Sequence, residues 1–300
     1  MIFKKTGCIE KIYSVSALVG TGVCNGACDF CAGAYLRPQA RINSYYSRDN
    51  NIYWKNYEAA IKLSARYGGW SLSLTSSGEP TCDPEDVTTA LNIYHECANQ
   101  GAFFPNVNLF SNGILLADDD FCAKWLPLWR KLGLTNIAIS IHSPVESEQA
   151  KAYGLETYPE FKKIFCNIRK YGIGVRATLL LNRRFIGTAQ LFVSSLVCLT
   201  AMGADNITSW PIANPNGTRN EYTPSWWELC KIRWWLKRNA KLCHGHVWGG
   251  AVYDWHGNMV RITDYVTKHD PSKDYVRQLV VFQDGTVAYS WIREGALCMK

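Results

Sequence analysis

The chain has 300 residues, 47% of them hydrophobic and 19% charged, which describes a globular polypeptide with a core and excludes a disordered one. Its 32 basic and 25 acidic side chains leave a net charge of +7, compatible with an anionic substrate or a nucleic acid and equally with solvated lysines on an ordinary surface. No apolar run approaches the roughly 20 residues of a membrane helix, and no apolar h-region follows the charged start, so the expectation is a cytoplasmic protein with no membrane partner.

In chain order, an apolar, β-branched run at Tyr13–Gly20 predicts a strand, and a cysteine-rich loop follows it. Trp54–Tyr67 has helical spacing. Trp70–Leu74 predicts a strand, and Asp83–Gln100 a helix with Asp83 as cap and Pro84 in its first turn. Val107–Phe110, Ile137–Ile141, Gly174–Leu181 and Asn206–Trp210 are further predicted strands. Helices are expected at Asp118–Lys131, before Tyr171, at Thr188–Met202 closed by Gly203, and at Pro224–Lys241. Strand and helix alternate six times, and several strands are continuous apolar runs of the kind that helices cover on both faces of a parallel sheet. The expected fold class is α/β: a partial (β/α)6 parallel barrel, open on one side, with a small C-terminal β-hairpin extension. Ala251–Arg261 and Leu279–Tyr289 each place a glycine between two short β-like runs, which predicts two hairpins forming a small sheet of their own. The expected domains are residues 1–245 for the barrel and 246–300 for an extension covering it.

Twelve cysteines in a chain of this length and character argue for metal binding before a disulfide framework. Cys97, Cys122, Cys166, Cys198 and Cys230 fall in helical segments and are expected as small buried hydrophobes. Trp226, Trp227, Trp234 and Trp235 form an aromatic stripe, expected to pack on the barrel or on a partner although such a stripe can also stack bases. Cys243-His244-Gly245-His246 has the look of a metal fragment.

The decisive segment is Cys24-Asn25-Gly26-Ala27-Cys28-Asp29-Phe30-Cys31, spaced C-x3-C-x2-C directly after the first strand. Three thiolates this close can converge on one side of a small inorganic cube. A full [4Fe–4S] site takes four, so one iron is left free for another ligand. Structural zinc is the alternative, but zinc sites usually pair two C-x2-C knuckles and no second one follows at suitable spacing.

With Phe30 as the aromatic residue before the last cysteine, this loop resembles the signature of the radical S-adenosylmethionine superfamily. The resemblance implies a [4Fe–4S] cluster on Cys24, Cys28 and Cys31, whose open iron is chelated by the amino and carboxylate groups of S-adenosylmethionine. One electron then breaks the sulfur–C5′ bond, and the resulting 5′-deoxyadenosyl radical abstracts hydrogen from a substrate. Ser77-Gly78-Glu79-Pro80-Thr81, after the second strand, is similar to the family's Gly-Gly-Glu-Pro turn, which holds the methionine amino group; Ser77 stands in place of its first glycine, and a plain type I or II turn would read the same. Ser111-Asn112-Gly113 is similar to the family's Thr-Asn-Gly turn, though Asn-Gly is a common turn dipeptide.

By position the resemblance further implies Ser140 against the cofactor and backbone near Pro211 along the adenine. The fifth strand of the barrel ends Leu181-Asn182-Arg183-Arg184, where a cation such as Arg183 beside Asn182 can pair with the methionine carboxylate or an anionic substrate, or the two arginines can equally be a solvated loop pair. His142 is a weak catalytic candidate, equally readable as a satisfied core histidine. Cys298 is another, if the tail folds over the barrel mouth, against the alternative of a terminal cysteine with no role. In peptide-modifying relatives a C-terminal extension returns a second cysteine to an auxiliary cluster; here Arg261-Ile262-Thr263 stands at that place, so no auxiliary cluster is expected.

The expected function is cleavage of S-adenosylmethionine and hydrogen abstraction from a small metabolite or nucleotide. A peptide- or RNA-modifying enzyme is the alternative within the class, and a non-catalytic iron–sulfur redox sensor the alternative outside it. The expected partners are the small-molecule substrate and a one-electron donor such as flavodoxin or ferredoxin.

Overall fold

A computed structural model of the chain describes residues 9–31, 33, 49–214, 217–246, 250–263, 273–291 and 297–299. Six strands, β2 (Ser14–Leu18), β3 (Ser71–Thr75), β4 (Asn106–Ser111), β5 (Asn136–Ile141), β6 (Gly174–Leu181) and β7 (Asn206–Pro211), pair in sequence order, each parallel to the next. Parallel neighbours need crossovers. These are α1 (Asn50–Arg66), α2 (Pro84–Asn99), α3 (Asp119–Lys131), the pair α4 (Glu146–Ala152) and α5 (Phe161–Lys170), and α6 (Ala189–Met202); α7 (Trp226–Asn239) follows β7. The result is an open α/β partial barrel.

Local chemistry sets the helix ends. Asp118, Thr188 and Ser225 each accept a hydrogen bond from a backbone N–H in the first turn of α3, α6 and α7. Gly203, at φ +96°, closes α6 in the left-handed conformation. The strands alternate cleanly: Leu72, Leu74, Val107, Leu109, Ile137, Ile139, Val175 and Ala177 are fully buried against the helices. The intervening residues, largely Ser, Thr and Asn, line the concave face.

The C-terminal strands take a course that the hairpin pattern did not reveal. β8 (Lys241–Gly245), β9 (Ala251–Trp255) and β10 (Asn258–Ile262) form a meander in which β10 runs parallel to β7. Then β12 (Leu279–Val281) runs parallel to β2, followed antiparallel by β13 (Val287–Ala288) and β14 (Leu297–Met299). The two expected hairpins are present, but instead of a separate sheet they extend the barrel sheet at opposite edges, giving the order β14-β13-β12-β2-β3-β4-β5-β6-β7-β10-β9-β8 among the described residues. Each supplies partners to an edge of the parallel core that would otherwise expose its N–H and C=O groups. A short ladder of β1 (Lys11–Ile12) with β11 (Tyr275–Val276) ties the start of the chain to the tail. Gly245 is the last residue of β8 and pairs with Ala251 of β9, and His246 follows it in the connection between these paired strands.

Two packing expectations are corrected. Cys97 and Cys122 are buried, but Cys166 and Cys198 are exposed and Cys230 is half-buried, because these three fall outside the apolar stripes of α5, α6 and α7. Trp226, Trp227 and Trp234 are exposed; of the stripe only Trp235 packs inward, against Trp255. The inward face of α7 is made by Leu229, Ile232 and Leu236. No described helix is long and apolar enough to cross a membrane.

Candidate active site

The cysteine loop leaves the C-terminal end of β2 and lies over the barrel rim. Gly20 and Gly22 turn the chain with φ of +79° and +87°. Asp83, at the cap position of α2, makes no capping bond there. Its Oδ2 instead accepts from the Thr21 N–H at 2.8 Å and the Thr21 hydroxyl at 2.9 Å, which fixes the entry to the loop.

The turn after β3 presses against the same loop. The Glu79 N–H donates to the Val23 carbonyl at 2.8 Å. A Cβ at Gly78 would overlap the carbonyl oxygens of Gly22 and Val23, and one at Gly33 would overlap that of Ser77. Glycine is required at both contacts. Glu79 is buried and its carboxylate is held from within: Oε1 accepts from the Thr81 N–H (3.0 Å), the Thr81 hydroxyl (2.7 Å) and the Ser111 hydroxyl (2.8 Å), and Oε2 from the Asn112 N–H (2.6 Å). Oε1 is fully occupied, and Oε2 keeps one acceptor site beyond the Asn112 bond. Burial raises the Glu79 pKa, and these four bonds oppose the rise. Glu79 thus ties the turn after β3 to the turn after β4, and Pro80 opens the short 3-10 turn Pro80–Cys82 between β3 and α2.

Ser77, the residue standing for a glycine, donates its hydroxyl to Gln283 Oε1 at 3.0 Å, while Gln283 Nε2 donates to the Gly20 carbonyl at 2.8 Å. The turn between β12 and β13 thereby braces both the cysteine loop and the turn after β3.

Asn112 Nδ2 donates to Asn25 Oδ1 at 2.6 Å, so the turn after β4 also holds the loop. Beyond β5, Ala27 N–H donates to the Tyr153 carbonyl at 2.7 Å, and the Tyr153 hydroxyl donates to the Ser140 carbonyl at 2.9 Å. Gln149 bonds the same carbonyl and accepts from the His142 and Ser143 N–H groups. Phe30 sits in an aromatic nest, with ring centroids 4.7 Å from His142, 5.4 Å from Tyr222 and 6.5 Å from Phe185. Burial pushes the His142 pKa from 6.5 down to about 3, and its Nδ1 has no partner.

At the end of β6, Asn182 is buried with Oδ1 bonded to the Arg184 N–H and Nδ2 unpartnered. The Arg183 side chain is exposed. Its neighbour Arg184 reaches the loop instead, 3.4 Å from Asp29 and stacked on Tyr222. Pro211 is buried at the end of β7. Cys298 is not brought to the barrel mouth: it lies on the edge strand β14, with β13 and β12 between it and β2, and interacts with Tyr289. Cys243 is exposed on β8.

Cys82 was not singled out in the sequence, because it lies 51 residues from the nearest cysteine of the loop, Cys31. The fold brings it beside Cys24, with the Asn25 N–H facing its sulfur, and burial pushes its thiol up to about 11. Tyr153, Gln149 and Gln283 also escaped sequence reasoning, and Asp83, expected as a helix cap, holds the loop instead. Each acts across an interval that no local pattern reveals.

The residues present fit an iron–sulfur cluster and a polar cofactor. Burial, and then the neighbouring Cys31 and Cys24, drive the Cys28 thiol up to about 12, a crowding of thiols that a cationic metal centre would relieve. Among the described residues, no three His, Cys, Asp or Glu side chains close on a single metal ion. The unpartnered buried atoms His142 Nδ1 and Asn182 Nδ2 stand ready for polar groups of a ligand at the strand ends.

A loop of three cysteines on the C-terminal rim of an open parallel barrel defines an α/β enzyme whose chemistry is done at strand ends. The family model of the radical SAM superfamily matches residues 18–183, more than half of the chain, and the chain belongs to that superfamily, whose members use a [4Fe–4S] cluster and S-adenosylmethionine. Solved structures agree on the fold. SuiB of Streptococcus suis bound to its precursor peptide SuiA is 11% identical with a TM-score of 0.60, covering 95% of this chain and 60% of that one. SuiB bound to S-adenosylmethionine is 11% identical with a TM-score of 0.58, covering 93% and 60%. The protein anSMEcpe with bound S-adenosylmethionine is 14% identical with a TM-score of 0.57, covering 92% and 73%. The chain thus spans less than two thirds of SuiB. No curated protein sequence matches it.

Proposed function

We propose that this protein cleaves S-adenosylmethionine reductively and abstracts hydrogen from a small metabolite or nucleotide bound on the concave face of its sheet. When bound, the cluster and S-adenosylmethionine supply a 5′-deoxyadenosyl radical as the hydrogen-abstracting agent. Cys24, Cys28 and Cys31 would hold the cluster. The backbone of Gly78 and the amide of Asn182 would receive the methionine moiety, and Phe30 in its aromatic nest would close the loop against solvent. Glu79, held by four internal donors, would shape the turn that receives the cofactor, and Arg184 rather than Arg183 would pin the loop. His142, neutral at working pH, would orient and not transfer protons.

The single observation that carries this reading is the joining of the cysteine loop to the turns after β3 and β4 through Glu79 N–H to Val23 O and Asn112 Nδ2 to Asn25 Oδ1, above a polar concave face. A sensor needs no such turn behind its cluster. Peptide modification is the second reading, favoured by the peptides bound in SuiB and anSMEcpe structures. A reducing, cytoplasmic setting with a flavodoxin- or ferredoxin-like donor would suit the cluster.

The test is anaerobic reconstitution with iron and sulfide, reduction by dithionite and addition of S-adenosylmethionine. The wild type is expected to form 5′-deoxyadenosine, and Cys28→Ala to form none while keeping a native circular dichroism spectrum. Cluster absorbance without cleavage in the wild type would favour the sensor. Deuterium transfer into 5′-deoxyadenosine from labelled metabolites, or from peptides, separates the two substrate readings.

A further inference from the structure

The concave face carries two arginines that form no ion pair among the described residues. Val175, Ala177, Ile207, Val260 and Ile262 are buried in the helix-packed core. The residues that alternate with them on β6, β7 and β10 therefore face the concave side. The strand register sets Ser140, Thr178, Thr208 and Arg261 side by side in one row across β5, β6, β7 and β10. Arg176 stands one step below Thr178 on the same face, and Thr263 one step above Arg261.

Thr178 Oγ1, Thr263 Oγ1 and Arg261 Nε are buried with no hydrogen-bond partner. Arg176 Nε donates to Asn206 Oδ1 at 3.0 Å, a neutral acceptor. Among the described residues no carboxylate pairs with either arginine, since the ion pairs lie elsewhere. Burial, then the charge of Arg261, lowers the Arg176 pKa to about 10, and burial lowers that of Arg261. His246, at about 4 through burial and then Arg261, adds no negative charge. Both arginines are half-buried, Arg261 Nε is wholly so, and among the described residues neither meets a counter-ion, an arrangement that an anionic ligand group would stabilise.

We propose that Arg261 and Arg176 form an anion subsite on the concave face that takes a carboxylate or phosphate group of the substrate, with the Thr178 and Thr263 hydroxyls as further donors. The subsite rests on the reading of this face as the substrate chamber. Its row lies four residues below Asn182 along β6, or ~13 Å at about 3.3 Å per residue. A metabolite of about that length, held by its anionic end, spans from the subsite to the strand ends where the cysteine loop lies.

Thermal unfolding of the anaerobically reconstituted protein, titrated with inorganic phosphate or acetate at constant ionic strength, tests this. The wild-type midpoint is expected to rise saturably with at least one of the two anions. The stronger of them identifies the group. Arg261→Gln and, separately, Arg176→Gln are expected to weaken the apparent affinity by about tenfold or more, and Arg261→Lys by less. The anion-dependent shift is expected to persist with saturating S-adenosylmethionine present. Absence of any saturable shift, an equal shift in both glutamine variants, or abolition of the shift by S-adenosylmethionine alone, which would assign the arginines to the methionine carboxylate, overturns the proposal. The readout is anion binding rather than turnover, so the subsite and the radical chemistry succeed or fail separately.

Discussion

Replacing Glu79 asks whether its carboxylate builds the site or binds the cofactor. Its four donors include two buried backbone N–H groups, those of Thr81 and Asn112, which cannot turn to find other acceptors. Leaving a buried donor unpaired costs about 1–3 kcal/mol. Glu79→Ala therefore loses roughly 2–6 kcal/mol at these two groups, and removal of a buried charge offsets part of it, for a net loss of about 3 kcal/mol. At roughly 2 °C per kcal/mol for a chain of this size, the midpoint falls by about 6 °C. Glu79→Gln can keep its amide oxygen on the side of Thr81 and Ser111 but sets its NH2 against the Asn112 N–H, one bond lost and about 1–3 kcal/mol. Urea unfolding under anaerobic conditions gives the order wild type, Gln, Ala. S-adenosylmethionine binding, measured in the same preparations, is expected to weaken in proportion to the loss of stability. A Gln variant as stable as the wild type, yet unable to bind S-adenosylmethionine, would refute the reasoning and make the carboxylate a direct ligand.

Three further outcomes follow from the same geometry. Cys82→Ala is expected to bind four irons and to cleave S-adenosylmethionine like the wild type; loss of cluster iron in that variant would make Cys82 a ligand. Gln283→Ala strands the Gly20 carbonyl and the Ser77 hydroxyl and is expected to lose about 2–3 kcal/mol, with weaker S-adenosylmethionine binding by equilibrium dialysis; an unchanged urea midpoint contradicts the brace. The folded-state pKa of His142 is depressed from 6.5 to about 3, so its contribution to stability is present above pH 6.5 and is lost as the pH falls towards 3. Between about pH 7 and about pH 5.5 the wild type is expected to lose about 1 kcal/mol more than His142→Phe, and parallel pH profiles would show that His142 is not buried as a neutral ring.

The cysteine loop after β2 and the order of the six parallel strands were legible because both are local. Cys24, Cys28 and Cys31 sit within eight residues, and alternation of apolar strands with capped helices recurs at short range. Edge pairing was not legible. Nothing in Ala251–Arg261 or Leu279–Tyr289 says which strand each will join, since a short hairpin is satisfied by any open edge; the choice of β7 by one and β2 by the other is made by the tertiary structure. The internal partners of Glu79 were not legible for the same reason: its donors at Ser111 and Asn112 lie more than thirty residues away. Arg183 and Arg184 are adjacent in sequence and equally charged, and only the backbone after β6 decides that Arg184 meets Asp29. Helical spacing placed the tryptophans of α7 on a face, but which face the barrel covers depended on Leu229, Ile232 and Leu236. Ser77 looked like a departure from a motif; its partner, Gln283, lies 206 residues away.

Labelling the cluster with 57Fe by anaerobic reconstitution and recording its Mössbauer spectrum before and after S-adenosylmethionine reaches the central claim directly. With three cysteines as its only protein ligands, one iron of the four is expected to change its isomer shift when the cofactor binds, leaving the other three as they were. Four irons indifferent to S-adenosylmethionine, as a fourth ligand such as Cys82 would make them, or a loop filled by zinc, would contradict it.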